Sequence, residues 1–267
     1  MKGLRFWKTQ TIGNDFVLVH ADDVQGLDLP ALSQQVCVRR FGVGSDGLLV
    51  LGRADDGLHL QMFNPDGTED FCGNGLRCAA LHALKQGWVK GEHRIEHFGR
   101  LVAADVSEDG LARTAIGPAV YDPEEVPVVA DGPFIDVEVC GVVGTAVSTG
   151  TTHFVSFVER MPSDEEFESL GPRIENDAVF PQRTSVIFAR ESGKREVTIR
   201  IWERGVGETL GCGTGSSAVA AEWMRRHGTA GSVRVINPGG VLEVSANEIG
   251  GSLVTASRPV EVFEGVL

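Results

Sequence analysis

Short apolar stretches, broken every few residues by glycine, proline, asparagine or aspartate, dominate the chain. Segments 15–20, 47–51, 58–63, 94–97, 101–106, 111–116, 134–139, 142–148, 154–158, 184–189, 196–202, 233–236, 241–246 and 253–263 are β-branched or aromatic-rich and end at turn residues, so they predict strands. Helical periodicity is rarer. Segment 28–38 opens on Asp28-Leu29-Pro30, a cap followed by a first-turn proline. Segment 163–170 opens on Ser163 with Glu166 three residues on, a capping box. Segments 73–86 and 213–227 are alanine-rich and stop at Gly87 and Gly228. Strands outnumber helices, and the helices do not alternate regularly with them. The pattern predicts an α+β fold.

Two pieces of the pattern recur. Gly13-Asn14-Asp15 and Gly150-Thr151-Thr152 are both glycine-polar-polar turns running into apolar segments. About 60 positions after each glycine comes a cysteine frame, Cys72-Gly73-Asn74-Gly75 and then Cys212-Gly213-Thr214-Gly215. The order and spacing predict two pseudo-symmetric domains, each a curved, mostly antiparallel, β-barrel-like sheet around a central helix. Residues 1–117 with a returning strand at about 256–267 would form the half that carries Cys72. Residues 118–255 would form the half that carries Cys212.

Composition narrows the chemistry. The 267 residues include 42% hydrophobic and 23% charged side chains, ordinary for a globular protein. The net charge of −13 argues against nucleic acid or an anionic membrane as partner. No apolar run approaches the roughly 18 residues of a membrane span. Met1-Lys2-Gly3-Leu4-Arg5-Phe6 lacks a signal-peptide core, so the expected location is the cytoplasm. Five cysteines at irregular spacing do not predict a disulfide framework or a zinc site. Cys37, Cys78 and Cys140 read as small buried hydrophobes. Gly42-Val43-Gly44-Ser45-Asp46-Gly47 matches a dinucleotide glycine pattern, but a helix precedes it and a strand follows, the reverse of the required context. His93 and His97 lie in a strand-like stretch and read as surface residues. His153 stands in the repeated turn, which favours a functional role.

A cysteine followed by glycines and a helix lies at a helix N-terminus. The backbone N–H groups and dipole there favour thiolate and bind anions. Two such cysteines form a candidate acid–base pair. One thiolate abstracts a proton from carbon and the other thiol returns one to the opposite face, inverting a stereocentre without a cofactor. The helix N-termini would hold a substrate carboxylate while charge builds beside it. A redox pair forming a reversible disulfide is the competing reading.

The chain resembles diaminopimelate epimerases over essentially its whole length. The resemblance rests on Gly13-Asn14-Asp15-Phe16, Arg40-Phe41-Gly42-Val43-Gly44-Ser45-Asp46-Gly47, Asn64-Pro65-Asp66-Gly67-Thr68-Glu69, the Cys72 frame through Cys78, Glu203-Arg204-Gly205-Val206-Gly207-Glu208-Thr209 and the Cys212 frame. It implies a PLP-independent epimerase that interconverts LL- and meso-2,6-diaminopimelate in lysine and peptidoglycan precursor synthesis. It also implies a homodimer that takes a small amino-acid substrate and needs neither cofactor nor metal. Cys72 and Cys212 fall on the catalytic positions, and His153 and Glu203 fall where the family tunes the thiols. Asn14, Asn64, Gly73, Asn74, Glu203, Arg204, Gly213 and Thr214 fall on substrate-binding positions. Thr151 and Ser185 also fall on substrate-binding positions, where the family usually carries asparagines, and Gly47 stands where many members carry glutamine. The segment between Asn64 and Cys72 is one residue shorter than usual. Thr151 and Ser185 leave open a cofactor-independent racemase or epimerase of another amino acid, and a non-catalytic or redox member of the same fold is the alternative from a different class.

Overall fold

The computed structural model describes residues 3–267. The chain divides into two compact units, Met1–Ala115 with Ala256–Leu267, and Ile116–Thr255. No described helix is long and apolar enough to cross a membrane.

The first unit runs β1 (Arg5–Thr11), β2 (Asn14–His20), α1 (Leu29–Val36), β3 (Gly47–Ala54), β4 (Gly57–Phe63), α2 (Gly73–Lys85), β5 (Gly91–His97), β6 (Arg100–Val106) and β7 (Ala112–Gly117). The second runs β8 (Val137–Val139), β9 (Val142–Ser148), β10 (Thr152–Phe157), α3 (Asp164–Glu175), β11 (Ser185–Gly193), β12 (Glu196–Glu203), β13 (Gly207–Glu208), α4 (Gly213–His227), β14 (Gly231–Asn237) and β15 (Gly240–Ala246), while β16 (Leu253–Ser257), like β7, spans the division of the chain. β17 (Val260–Val266) returns to pair antiparallel with β1.

Pairings in the two units match step for step. β1/β2, β3/β4 and β5/β6 are antiparallel, as are β9/β10, β11/β12 and β14/β15. Parallel pairs occur where a helix makes the crossover: β2/β3 and β4/β5 in one unit, β10/β11 and β12/β14 in the other. A parallel pair needs such a crossover, whereas a hairpin gives an antiparallel one. Each unit is therefore an α+β mixed sheet, antiparallel in its hairpins.

α2 is buried from Gly73 through Ala83. Leu76, Ala79, Ala80 and Ala83 pack among Leu49, Leu60, Ile95 and Val102 of the surrounding strands. Small residues all round let a helix be enclosed on every side. In the second unit, Phe154, Phe167, Phe180 and Phe188 form an aromatic core beside β10 and β11.

Three details differ from the sequence pattern. β1 is not apolar by alternation, because Lys8 is buried and paired with Asp15 at 2.5 Å. The 253–263 stretch is two strands, broken at Arg258-Pro259, where proline removes a backbone donor. α3 continues past Leu170 to Glu175 with Pro172 inside it. Gly171 is a packing residue: a Cβ there would lie 2.7 Å from the Trp202 ring.

Candidate active site

Both frame cysteines cap a helix. Cys72 precedes α2 with φ −135° and ψ 105°, and its Sγ accepts the Gly75 N–H at 3.3 Å. Cys212 precedes α4 with φ −122° and ψ 121°, and its Sγ accepts the Gly215 N–H at 3.4 Å. Sulfur thus takes the place of the usual Ser or Asp cap oxygen. The second glycine of each frame seats the helix. A Cβ on Gly75 would lie 2.9 Å from Leu49 Cδ2, and one on Gly215 would lie 2.7 Å from Ile201 Cδ1. The turn glycines Gly13 and Gly150 adopt φ of 81° and 104°, the region glycine favours.

In the first unit, the Cys72 N–H donates to Nε2 of His97 at 2.9 Å. Nδ1 of His97 lies 2.9 Å from the Leu60 carbonyl, so the ring is neutral with its proton on Nδ1. His97 is fully buried, which corrects its reading as a surface residue. Inward positions alternate along β5, and His97 falls on the inner face with Ile95. His93 is half-buried and lies near the Gly91 carbonyl.

Asn14 donates to Asp46 at 2.8 Å and accepts from Asn74 at 3.1 Å. Asn74 in turn accepts from the buried Arg77, whose Nε reaches Ser257 Oγ at 2.8 Å. Cys72, Gly73, Asn74 and Asn14 therefore meet at the start of α2. Asn64 stands in a separate turn, its amide on Thr68 Oγ1 at 3.1 Å. Burial pushes the Cys72 thiol up to about 11, against the pull of the Gly75 N–H and Arg77. Desolvation thus outweighs the helix N-terminus, and resting Cys72 is a neutral thiol. Gly47 is hemmed in, since a Cβ there would lie 2.8 Å from Met62 Cε and 3.0 Å from the Phe63 carbonyl.

In the second unit, His153 on β10 pairs with Ser185 on β11. Ser185 Oγ accepts the Arg204 N–H at 3.1 Å, and Arg204 Nη1 donates to the Gln182 carbonyl at 3.2 Å. Glu203 accepts a hydrogen bond from Thr209 Oγ1. Thr151 Oγ1 lies 3.0 Å from His153 Nε2 and 3.2 Å from Thr214 Oγ1, which lies 3.3 Å from Cys212 Sγ. Thr151, His153, Cys212, Gly213 and Thr214 are thus one cluster, with Ser185 and Arg204 beside it. Burial, then the Arg204 charge, push His153 down to about 3, so its ring is neutral.

Two buried charges support these sites and are not evident in the motifs. Arg77 is one. The other is Glu175, which accepts from Trp202 Nε1 at 2.7 Å, the Gly205 N–H at 2.8 Å and Arg183 at 3.1 Å. It fixes the turn that carries Glu203 and Arg204. Cys37 and Cys78 are buried as expected, while Cys140 is only half-buried, in a turn with φ 53° beside Asp177. Among the described residues no group of three or more His, Cys, Asp or Glu is placed to hold a metal ion.

Two topologically matching α+β units, each with a cysteine capping its longest helix, define a fold also seen in solved structures of low identity. A PhzF-family phenazine biosynthesis protein of Bacillus anthracis matches with a TM-score of 0.71 at 17% identity, covering 100% of this chain and 99% of that one. A hydroxyproline epimerase of Agrobacterium vitis matches with a TM-score of 0.71 at 13% identity, covering 100% and 91%. The family model for diaminopimelate epimerase matches residues 6–121 and 145–261. A diaminopimelate epimerase of Moorella thermoacetica is 37% identical, covering 98% of both chains, and one of Desulforudis audaxviator is 38% identical with the same coverage. The chain belongs to the diaminopimelate epimerase family.

Proposed function

We propose that this protein interconverts LL- and meso-2,6-diaminopimelate without PLP, with Cys72 and Cys212 as the acid–base pair. One thiolate removes the α-proton, and the electron pair left on carbon delocalises into the α-carboxylate. The opposite thiol gives its proton to the other face of that carbon. The first becomes a thiol, the second a thiolate, and the stereocentre is inverted.

The observation that carries this reading is the pair of matching sulfur caps. Each lies beside first-turn N–H groups that have no intrahelical partner and suit a carboxylate whose charge grows in the transition state. Gly73, Asn74, Gly213 and Thr214 supply those groups. Asn14, Asn64, Ser185 and Arg204 are assigned to binding the amino acid, and Arg204 and Asn64 suit its distal carboxylate. Glu203 and His153 tune the thiols. Resting Cys72, a neutral thiol, is in the donor form. The reading places the enzyme in lysine and peptidoglycan precursor synthesis in the cytoplasm, as a homodimer.

Replacing either Cys72 or Cys212 by Ala tests it. Each variant is expected to lose epimerisation by at least about 10²-fold. A near-normal epimerisation rate in either variant would refute the two-thiol mechanism. Exchange of the α-proton without inversion can survive in one of them, since a single base still removes a proton.

A further inference from the structure

In the second unit a continuous chain of side-chain hydrogen bonds runs from the His153 ring to the Cys212 sulfur. His153 Nε2 lies 3.0 Å from Thr151 Oγ1, which lies 3.2 Å from Thr214 Oγ1, which lies 3.3 Å from Cys212 Sγ. Both ends are fixed. His153 is fully buried in β10, paired with Val147 on one side and Ser185 on the other. Cys212 is the cap of α4. The middle is held as well: the buried Thr149 donates its hydroxyl to the Thr214 carbonyl at 2.8 Å, and its N–H to the Thr151 carbonyl at 3.3 Å.

A hydroxyl donates once and accepts, so each threonine can pass a hydrogen bond along. The direction is set at the histidine. Among the described residues no group lies within hydrogen-bond reach of the buried His153 Nδ1. A buried N–H without an acceptor is strongly disfavoured. The ring proton therefore belongs on Nε2, where Thr151 Oγ1 accepts it. Thr151 then donates to Thr214, and Thr214 donates to sulfur. A chain that ends on a donor favours the charged form of its acceptor.

We propose that Thr151 and Thr214 are positioning residues that carry a hydrogen bond from the neutral His153 ring to Cys212 and hold it as the thiolate base. The proposal rests on the reading of Cys212 as one of two epimerase thiols. It gives Thr151, which stands where an asparagine is usual in the resemblance, a task inside the protein. It also complements Cys72, which rests as the thiol. The ionisable groups on the strands and turns leading to the α4 N-terminus include His153, Glu203, Arg204 and Glu208, with Glu208 paired to Arg200 and Arg183 to Glu175; the first turn of α4 carries none. Arg204, a cation, and Glu203, an anion, both stay in place in the variants below.

The test is alkylation of the full, folded chain by iodoacetamide from about pH 6 to about pH 10, with Cys212 and Cys72 peptides read separately by mass spectrometry. Thr151→Val keeps the shape and removes the hydroxyl. It is expected to raise the Cys212 midpoint by about one pH unit, a roughly tenfold loss of thiolate near neutrality. Thr214→Val is expected to do the same, and Thr151→Ser to keep the wild-type midpoint. Cys72, in the other unit and with its thiol pushed up to about 11, is expected to stay largely unreacted across that range in every variant. An unmoved Cys212 midpoint in Thr151→Val overturns the proposal, as does an equal shift in Thr151→Ser or a matching change in Cys72 alkylation. The readout needs no substrate. If the Cys212 midpoint rises as described but diaminopimelate is not turned over, the chain of hydrogen bonds stands and the substrate assignment falls. If diaminopimelate is epimerised but the midpoint stays, the reverse holds.

Discussion

His97 and His153 are both buried, both neutral, and each stands behind one cysteine frame: His97 accepts the Cys72 N–H, and His153 heads the hydroxyl chain to Cys212. Their burial has a consequence for stability. His153 is pushed from an ordinary value of 6.5 down to about 3, and burial lowers His97 too. The folded state therefore binds fewer protons than the unfolded state below about pH 6.5. The stabilising contribution is fully present above that pH and is lost as pH falls towards the folded value. The urea midpoint is expected to fall between about pH 7 and about pH 5, and His153→Gln, which does not titrate, is expected to flatten that fall. An identical fall in wild type and His153→Gln would contradict the assignment. At this scale the sequence shows what is local. Cys72 and Cys212 declare themselves through the glycines beside them. The role of His97 is hidden because its partner lies 25 positions away, and that of Arg77 because burial of a guanidinium cannot be read from a helical pattern.

The frames work as elements because the glycines differ in purpose. Gly75 and Gly215 let α2 and α4 press on their sheets, whereas a Cβ on Gly73 would meet nothing nearer than Arg77 Nη1 at 3.9 Å. Gly75→Ala and Gly215→Ala are expected to cost about 1–3 kcal/mol each through overpacking. Gly215→Ala should cost more, since its Cβ would meet both Ile201 Cδ1 at 2.7 Å and Ile187 Cδ1 at 3.0 Å. Gly73→Ala is expected to be neutral or to stabilise by up to about 1 kcal/mol, from helix propensity. Chemical denaturation of the three variants checks the order, and a loss in Gly73→Ala as large as in the other two would contradict it. Elements with local signatures were legible: the Ser163 capping box, with Glu166 on the Ser163 N–H at 2.7 Å, and the Asp28 cap of α1. β1 was not, because Lys8, Thr9 and Thr11 are buried polar residues satisfied by distant partners. The length of α3 was not, because Gly171 next to Pro172 mimics a terminator while the glycine makes room for Trp202.

At the scale of the whole molecule, the matched strand pairings of the two units and the family match over 6–121 and 145–261 express one repeated plan. The repeat was visible because its turn glycines and cysteine frames recur in order. The parallel crossovers were not, since strand direction depends on where a helix returns rather than on any one segment. The net charge of −13 gives no overall attraction for an anionic group, so a substrate carboxylate would depend on local donors rather than on an overall field. Two thiols that each serve one face of a carbon make one demand on the product: the proton on the inverted carbon comes from the protein, and so from solvent. The most direct measurement is proton NMR of LL-diaminopimelate incubated with the purified, reduced chain in D₂O without added cofactor, alongside a panel of other amino acids. The expected result is loss of the α-proton signal of diaminopimelate and formation of meso product carrying solvent deuterium at the inverted centre. Diaminopimelate left unexchanged, meso product that keeps the original proton, or exchange and inversion confined to another amino acid would contradict it.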